Sequence, residues 1–186
     1  TSTIGSVCSR ILARKVNYLT ISGRNSRQLE RLSGRILRES GLAVQIAANS
    51  KIALAQADLV LIVPGSTVFV NGLEGAKKGA LVCDLARPRA ITPEAANRRP
   101  DVLVMEGGMV RVPGSLDFGF DYGFPPRTVS SPMAETMILA LEGRSDNFTV
   151  GNSVSVEQID EIMGLGDRHG FKLAGLHGFD RMLHFS

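Results

Sequence analysis

The residues with the clearest chemical use are small, and they stand in front of a helical pattern. Thr1-Ser2-Thr3-Ile4-Gly5 is a short polar turn that leads into apolar residues at helical spacing, Val7, Ile11 and Leu12. Small side chains let backbone N–H groups approach a pyrophosphate, and the positive end of the following helix favours its charge. An NAD site would add a carboxylate about 20 residues further on, to take the ribose 2′-hydroxyl. The chain has none there. It reads Ser22-Gly23-Arg24-Asn25-Ser26-Arg27, with Arg24 standing 19 residues after Gly5. A guanidinium grips a phosphate through two parallel hydrogen bonds, or stacks on adenine. Arg24, with Asn25 and Arg27, therefore points to NADP rather than NAD, the plainer alternative being that both arginines are solvated turn and helix residues. Pro64-Gly65-Ser66 is a further small-residue turn expected at the same site.

Two carboxylates are candidates for the chemistry. Asp84 ends the apolar run ALVCD and is placed to orient substrate or ribose. Glu135 falls in the first turns of a late helix, where a negative charge is stabilising whether or not it reacts. Cys83 would serve as a nucleophile only if a positive environment lowered its pKa; the simpler reading is a small buried apolar residue. The three histidines fall within the last 18 residues, with no cysteine or acidic cluster at ligand spacing, so no metal site is expected. A Tyr-x-x-x-Lys pair is absent, since the residues four after Tyr18 and Tyr122 are Ser22 and Pro126. No Gly-x-Ser-x-Gly nucleophile elbow is present either.

The elements that would position these residues alternate in period. Residues 17–22, 43–47, 58–63, 80–84 and 102–105 are β-rich runs. The runs at 58–63 and 80–84 are continuously apolar, as strands covered on both faces are. Residues 26–40 carry Leu29, Leu32, Ile36 and Leu37 at helical spacing before Gly41, and 51–56 make one or two turns. This alternation predicts an α/β fold: a doubly wound, mostly parallel sheet of the dinucleotide-binding, Rossmann-like type. Residues 112–127, rich in proline, glycine and aromatics, read as a long loop across the mouth of that sheet. A helix follows, capped by Ser130 or Ser131, with Pro132 in its first turn and Gly143 at its end. Ser155 to Gln158 fits a capping box that opens a last helix to about Arg168. The expected division is a nucleotide-binding domain over residues 1–143 and a strand–helix extension over 144–186 packing on it.

The bulk properties narrow the field. The 186 residues suffice for a core, 44% are hydrophobic, and no apolar run reaches membrane-spanning length. The formal net charge is +3, and Arg10, Arg14, Arg24, Arg27, Arg31, Arg35 and Arg38 crowd the first fifth of the chain. Nucleic acid is the obvious partner to test against that excess. Only 5% of residues are aromatic, however, and the arginines fall at solvent-face spacing, so a phosphorylated small molecule is the expected ligand and no nucleic acid is. Two cysteines in apolar surroundings suit a reducing, cytoplasmic setting.

From residue 79 onward a resemblance emerges. The runs ALVCDLARPRAI, VMEGGMVRVPGSLDFGFDYGF, MAETMILALEG, NFTVGNSVSVEQIDEI and RHGFKLAG resemble the carboxy-terminal half of the long-chain acyl-(acyl-carrier-protein) reductases. The resemblance reaches from TSTIGS to about Gly175. It implies an NADP-binding domain preceded by a separate amino-terminal domain, and a fatty acyl substrate bound to a carrier protein or free. In that family the acyl group passes to a cysteine, and hydride from NADPH then releases a fatty aldehyde. The cysteine's position here is Pro132, in SSPMAE, and proline forms no thioester. Ser131 beside it reads more simply as a helix cap. Direct hydride exchange with a carbonyl, similar to a shikimate-dehydrogenase domain, is one alternative; an NADP-binding module without turnover is another. Set beside the family, TSTIG resembles the second half of a Gly-Ala-Thr-x-x-Ile-Gly turn. The first strand of the sheet and the first glycines are then expected upstream of Thr1, and residues 1–186 alone are expected to bind NADPH more weakly than about micromolar.

Overall fold

The computed structural model describes residues 2–65, 73–120, 123–149, 154–175, 177–178 and 181–182. The chain divides into two compact units, Thr1–Met105 and Glu106–Ser186. The fold is mixed α/β with parallel strand pairs. Among the described residues no helix is long and apolar enough to cross a membrane.

In the first unit helices alternate with short strands. Helix α1 (Thr3–Leu12) starts where Ser2 Oγ accepts a hydrogen bond from the Gly5 N–H at 3.1 Å. Strand β1 (Thr20–Ser22) follows, then helix α2 (Ser26–Ser40), capped by Asn25, whose Oδ1 accepts from the Gln28 N–H at 3.1 Å. Gly41 ends α2 at a φ of 74°, a left-handed conformation that glycine adopts without a Cβ penalty. Leu29, Leu32 and Ile36 form the buried stripe of α2 and pack with Ala13 and Ile21. Helices α1 and α2 lie against each other. There the buried Arg10 guanidinium donates to Glu39 at 2.6 Å, and Arg35 donates to the other carboxylate oxygen at 2.7 Å.

Strand β2 (Gln45–Ala47) pairs parallel with β1, Ile21 opposite Ile46. Helix α3 (Ser50–Gln56), capped by Asn49, lies against both β1 and β2. Strand β3 (Leu59–Ile62) pairs parallel with β4 (Leu81–Asp84). The apolar run at β3 suggests cover on both faces; Ile62 is fully buried, but Leu59 is 47% exposed. A short helix α4 (Pro93–Asn97) leads to β5 (Leu103–Glu106), which lies beside β4, with the Leu103 N–H donating to the Ala80 carbonyl at 3.0 Å. Arg99 braces this region. It pairs with Asp101 and donates to the carbonyls of Leu73 and Ala76 at 2.9 and 2.8 Å.

The second unit is built differently, on antiparallel pairs. Strand β6 (Met109–Arg111) lies between β7 (Thr128–Ser130) and β8 (Lys172–Leu173). The long loop expected over 112–127 is thus the connection between two paired strands. Helices α5 (Ser131–Leu141) and α6 (Val156–Arg168) close a core of Val112, Val129, Ala134, Ile138, Leu165 and Phe171. Gly166 lets them approach, since a Cβ there would stand 3.2 Å from Ile138 Cδ1. Ser155 and Gln158 form the expected capping box, and Gln158 Nε2 also donates to the Phe148 carbonyl at 2.6 Å. Ser130, not Ser131, is the cap residue of α5, and its side chain makes no capping bond; Ser131 is the first helical residue. His169 Nε2 and Glu142 lie 2.6 Å apart and tie the ends of α5 and α6 together. Strands β9 (His177–Gly178) and β10 (Arg181–Met182) pair antiparallel, and Glu106 pairs antiparallel with His177.

Candidate functional site

In the first unit the expected cofactor residues stand at the turns where helices begin and parallel strands end. Thr1 and Ser66 lie outside the described residues. Ser2 spends its hydroxyl on capping α1, and its carbonyl accepts from the Ser6 N–H at 2.9 Å. Thr3, Ile4 and Gly5 form the first turn, with Gly5 buried and Ile4 46% exposed. No acidic side chain occupies that turn, so the positive end of the helix dipole is left uncompensated by its own sequence.

The turn after β1 holds the second group. Asn25 is occupied as the cap of α2. Arg24 and Arg27 are exposed, and neither makes a hydrogen bond or ion pair among the described residues. This sets them apart from the neighbouring Arg10 and Arg35, which Glu39 neutralises. Pro64 and Gly65 form a turn after β3, with Gly65 at a φ of 84°.

Asp84 is the most buried carboxylate among the described residues, at 1% exposure. Oδ1 accepts from the Ala86 N–H at 2.9 Å, and Oδ2 accepts from Ala90 and Ile91 at 2.7 and 3.0 Å. The side chain thereby folds the loop after β4 back onto the strand end. These three bonds shape that loop. The thiol of Cys83 beside it is pushed up in pKa by burial and, secondarily, by the Asp84 charge. Cys8 on α1 is likewise raised by burial. A nucleophilic cysteine needs the opposite shift, so both thiols read as packing residues.

In the second unit the turn Gly107-Gly108 meets the start of α5. The Ser131 N–H donates to the Gly108 carbonyl at 2.9 Å, and a Cβ on Gly108 would approach Ser131 Oγ to 3.8 Å. Ser131, Pro132 and Met133 are all exposed on this first turn. One turn on, half-buried Glu135 is held by Thr149, whose hydroxyl lies 2.6 and 2.7 Å from the two carboxylate oxygens. Thr149 stands 14 residues away in a separate loop, and no spacing rule links the two. Glu106, buried at the end of β5 directly before the glycine pair, is another carboxylate that sequence reasoning passed over. The signal was present, because a charged residue closing an apolar strand run at a glycine turn is a common site position.

Comparison with known proteins gives distant relatives of two kinds. No family model matches the chain. It is similar to the long-chain acyl-[acyl-carrier-protein] reductase of Synechococcus elongatus, 26% identical over 182 residues, which cover 92% of this chain and 50% of that protein. It is also similar to the aminotransferase PigE of Serratia sp., 33% identical over 95 residues, which cover 50% of this chain and 11% of that protein. The chain thus spans about half of one relative and a small part of the other. The reductase likeness agrees in extent with the resemblance read from the motifs.

Proposed function

We propose that this chain is the cofactor-binding part of an NADP-dependent oxidoreductase acting on a fatty acyl thioester, an aldehyde or another carbonyl group. The observation that carries the reading is the exposed Arg24, without an acidic partner, on the turn after β1. The likeness to a reductase over nearly the whole chain supports it. The first turn of α1 would receive the pyrophosphate and Arg24 the 2′-phosphate, with Arg27 adding positive charge nearby. The parallel pairs β1–β2, linked through α2, and β3–β4 suit a doubly wound sheet.

NADPH, when bound, supplies a hydride. The residues of this chain orient and polarise. Asp84 holds the loop after β4 in shape, and is a positioning residue. Glu135, anchored by Thr149, is the polar group at the start of α5 and is the better candidate for a substrate contact. Pro132 removes the nucleophile that thioester chemistry needs at this point, so direct hydride exchange with a carbonyl is the favoured reaction. The same proline favours a second reading, an NADP-binding module without turnover.

The test is NADPH consumption by the full-length protein, offered long-chain acyl thioesters and fatty aldehydes separately. Turnover with aldehyde and not thioester is expected. NADPH binding without consumption of either substrate would replace the enzyme reading with the module.

A further inference from the structure

The positive charge of the chain is concentrated on one helix. The whole chain has 21 basic and 18 acidic residues, and residues 24–39 hold five arginines against two glutamates. The formal charge of +3 therefore arises in this span, and the remainder balances. Within α2, Arg27, Arg31, Arg35 and Arg38 follow one another at intervals of four, four and three residues. At about 100° per residue they fall within roughly 80° of the helix circumference, in a row one side chain wide and about 17 Å long. The row lies opposite the buried stripe of Leu29, Leu32 and Ile36, and all four arginines are exposed. Arg35 is fixed by Glu39. The side chains of Arg27, Arg31 and Arg38 make no ion pair or hydrogen bond among the described residues.

A glycine interrupts this row and narrows the choice of partner. Gly34 lies between Arg31 and Arg38 in the interior of α2, where glycine weakens a helix. Nothing in the chain demands it. A Cβ there would meet only Nη1 of Arg38, at 3.6 Å, which is ordinary contact. A missing side chain in the middle of an exposed row serves a backbone that comes close from outside. A lipid surface or a phosphodiester strand gathers positive charge and has no use for a notch. The helix also carries no aromatic residue on which bases could stack. Carboxylates on a second helix suit the row, because they repeat at the same intervals and arginine forks take them in paired hydrogen bonds.

We propose that the outer face of α2 docks an acidic helix of a partner protein. Carboxylates spaced four, four and three residues apart face the arginine row, and the partner's backbone comes closest over Gly34. One helix against another buries less area than a stable complex needs, so the contact is transient. It is also weakened by salt, since its ion pairs are exposed. The proposal turns on Arg31, Gly34 and Arg38 and does not rest on the oxidoreductase reading, which uses the turn after β1.

The experiment is fluorescence anisotropy on the full-length protein with a labelled, alanine-based helical peptide carrying glutamates at those intervals. The same peptide with glutamines, single-stranded oligothymidylate and phosphatidylglycerol vesicles are the comparison ligands. The glutamate peptide should bind with a Kd below about millimolar, and more tightly than the other three. Arg31→Gln together with Arg38→Gln should weaken it roughly tenfold. Gly34→Leu keeps every charge and should still weaken it at least ~tenfold, by blocking close approach. Both variants alter the solvent face, and circular dichroism checks that the fold is retained. Should Gly34→Leu disturb α2, the arginine variant and the comparison ligands decide the matter. Absence of peptide binding up to about millimolar would overturn the proposal. So would peptide affinity indifferent to Gly34→Leu, or tighter binding of oligothymidylate or vesicles that the arginine variant weakens. Displacement of the peptide by NADPH would overturn it too, by placing the peptide at the turn after β1.

Discussion

Replacing Asp84 separates a structural carboxylate from a reactive one. Its two oxygens accept three backbone N–H groups, those of Ala86, Ala90 and Ile91. Ala86 and Ile91 are buried, and Ala90 is partly so. Asp84→Ala removes every acceptor at once. A buried donor left without a partner costs about 1–3 kcal/mol, so two buried donors and one half-buried donor sum to roughly 3–6 kcal/mol. For a chain of this length about 2–4 °C of Tm is lost per kcal/mol, which predicts a fall of about 6–24 °C. Asp84→Asn keeps one carbonyl oxygen but turns an NH2 toward a donor, so it should lose about half as much. Thermal unfolding followed by circular dichroism, with urea titration to confirm that the m-value is unchanged, reads both variants. An Asp84→Asn protein that melts within about 1 °C of the parent, while losing turnover, would refute the loop-shaping role and restore Asp84 as a group that touches substrate or cofactor.

Three further outcomes follow from the same reasoning. The Arg10 and Arg35 guanidinium groups hold the Glu39 carboxyl down to about 2, below its value of 4.5 in an unfolded chain. Its contribution is therefore complete above pH 4.5 and is lost as pH falls toward 2; acid titration of Glu39→Gln should show a shallower loss of stability across that window than the parent. At neutral pH the same substitution leaves buried Arg10 without its counter-charge and should cost about 2 kcal/mol in urea unfolding. Thr149→Val releases Glu135 from its anchor at a stability cost of about 1–2 kcal/mol, and if Glu135 contacts substrate it should lower turnover of the full-length protein while NADPH affinity stays constant.

The parts of the fold that could be read in advance are those whose signals are local. Helix α2 is written in the spacing of Leu29, Leu32 and Ile36 and in the stop at Gly41, and α6 in the pairing of Ser155 with Gln158. These patterns need no distant partner. Strands β6 and β7 are three residues each and sit among glycines and prolines, so their pairing is decided by the register between Met109 and Ser130, which no window of sequence contains. The cap of α5 stays open between Ser130 and Ser131 in the sequence because the two are chemically alike, and only the backbone distinguishes them. At the site, Arg24 could be flagged because what mattered was a missing carboxylate at a known distance. The partners of Asp84 and Glu135 could not. One set is backbone, and the other is a threonine 14 residues away. The apolar run of β3 predicted full cover, and the exposure of Leu59 became informative because it departs from that rule.

The cofactor turn after β1, with its exposed Arg24, carries the proposed NADP binding. The deciding measurement is a calorimetric titration of the full-length protein with NADPH and with NADH, repeated for Arg24→Ala. Loss of a bidentate charged contact of about 1.5–3 kcal/mol predicts roughly tenfold to 100-fold weaker NADPH binding in the variant, with NADH binding nearly unchanged. Equal weakening for both cofactors, or no binding of either by the parent protein, would contradict it.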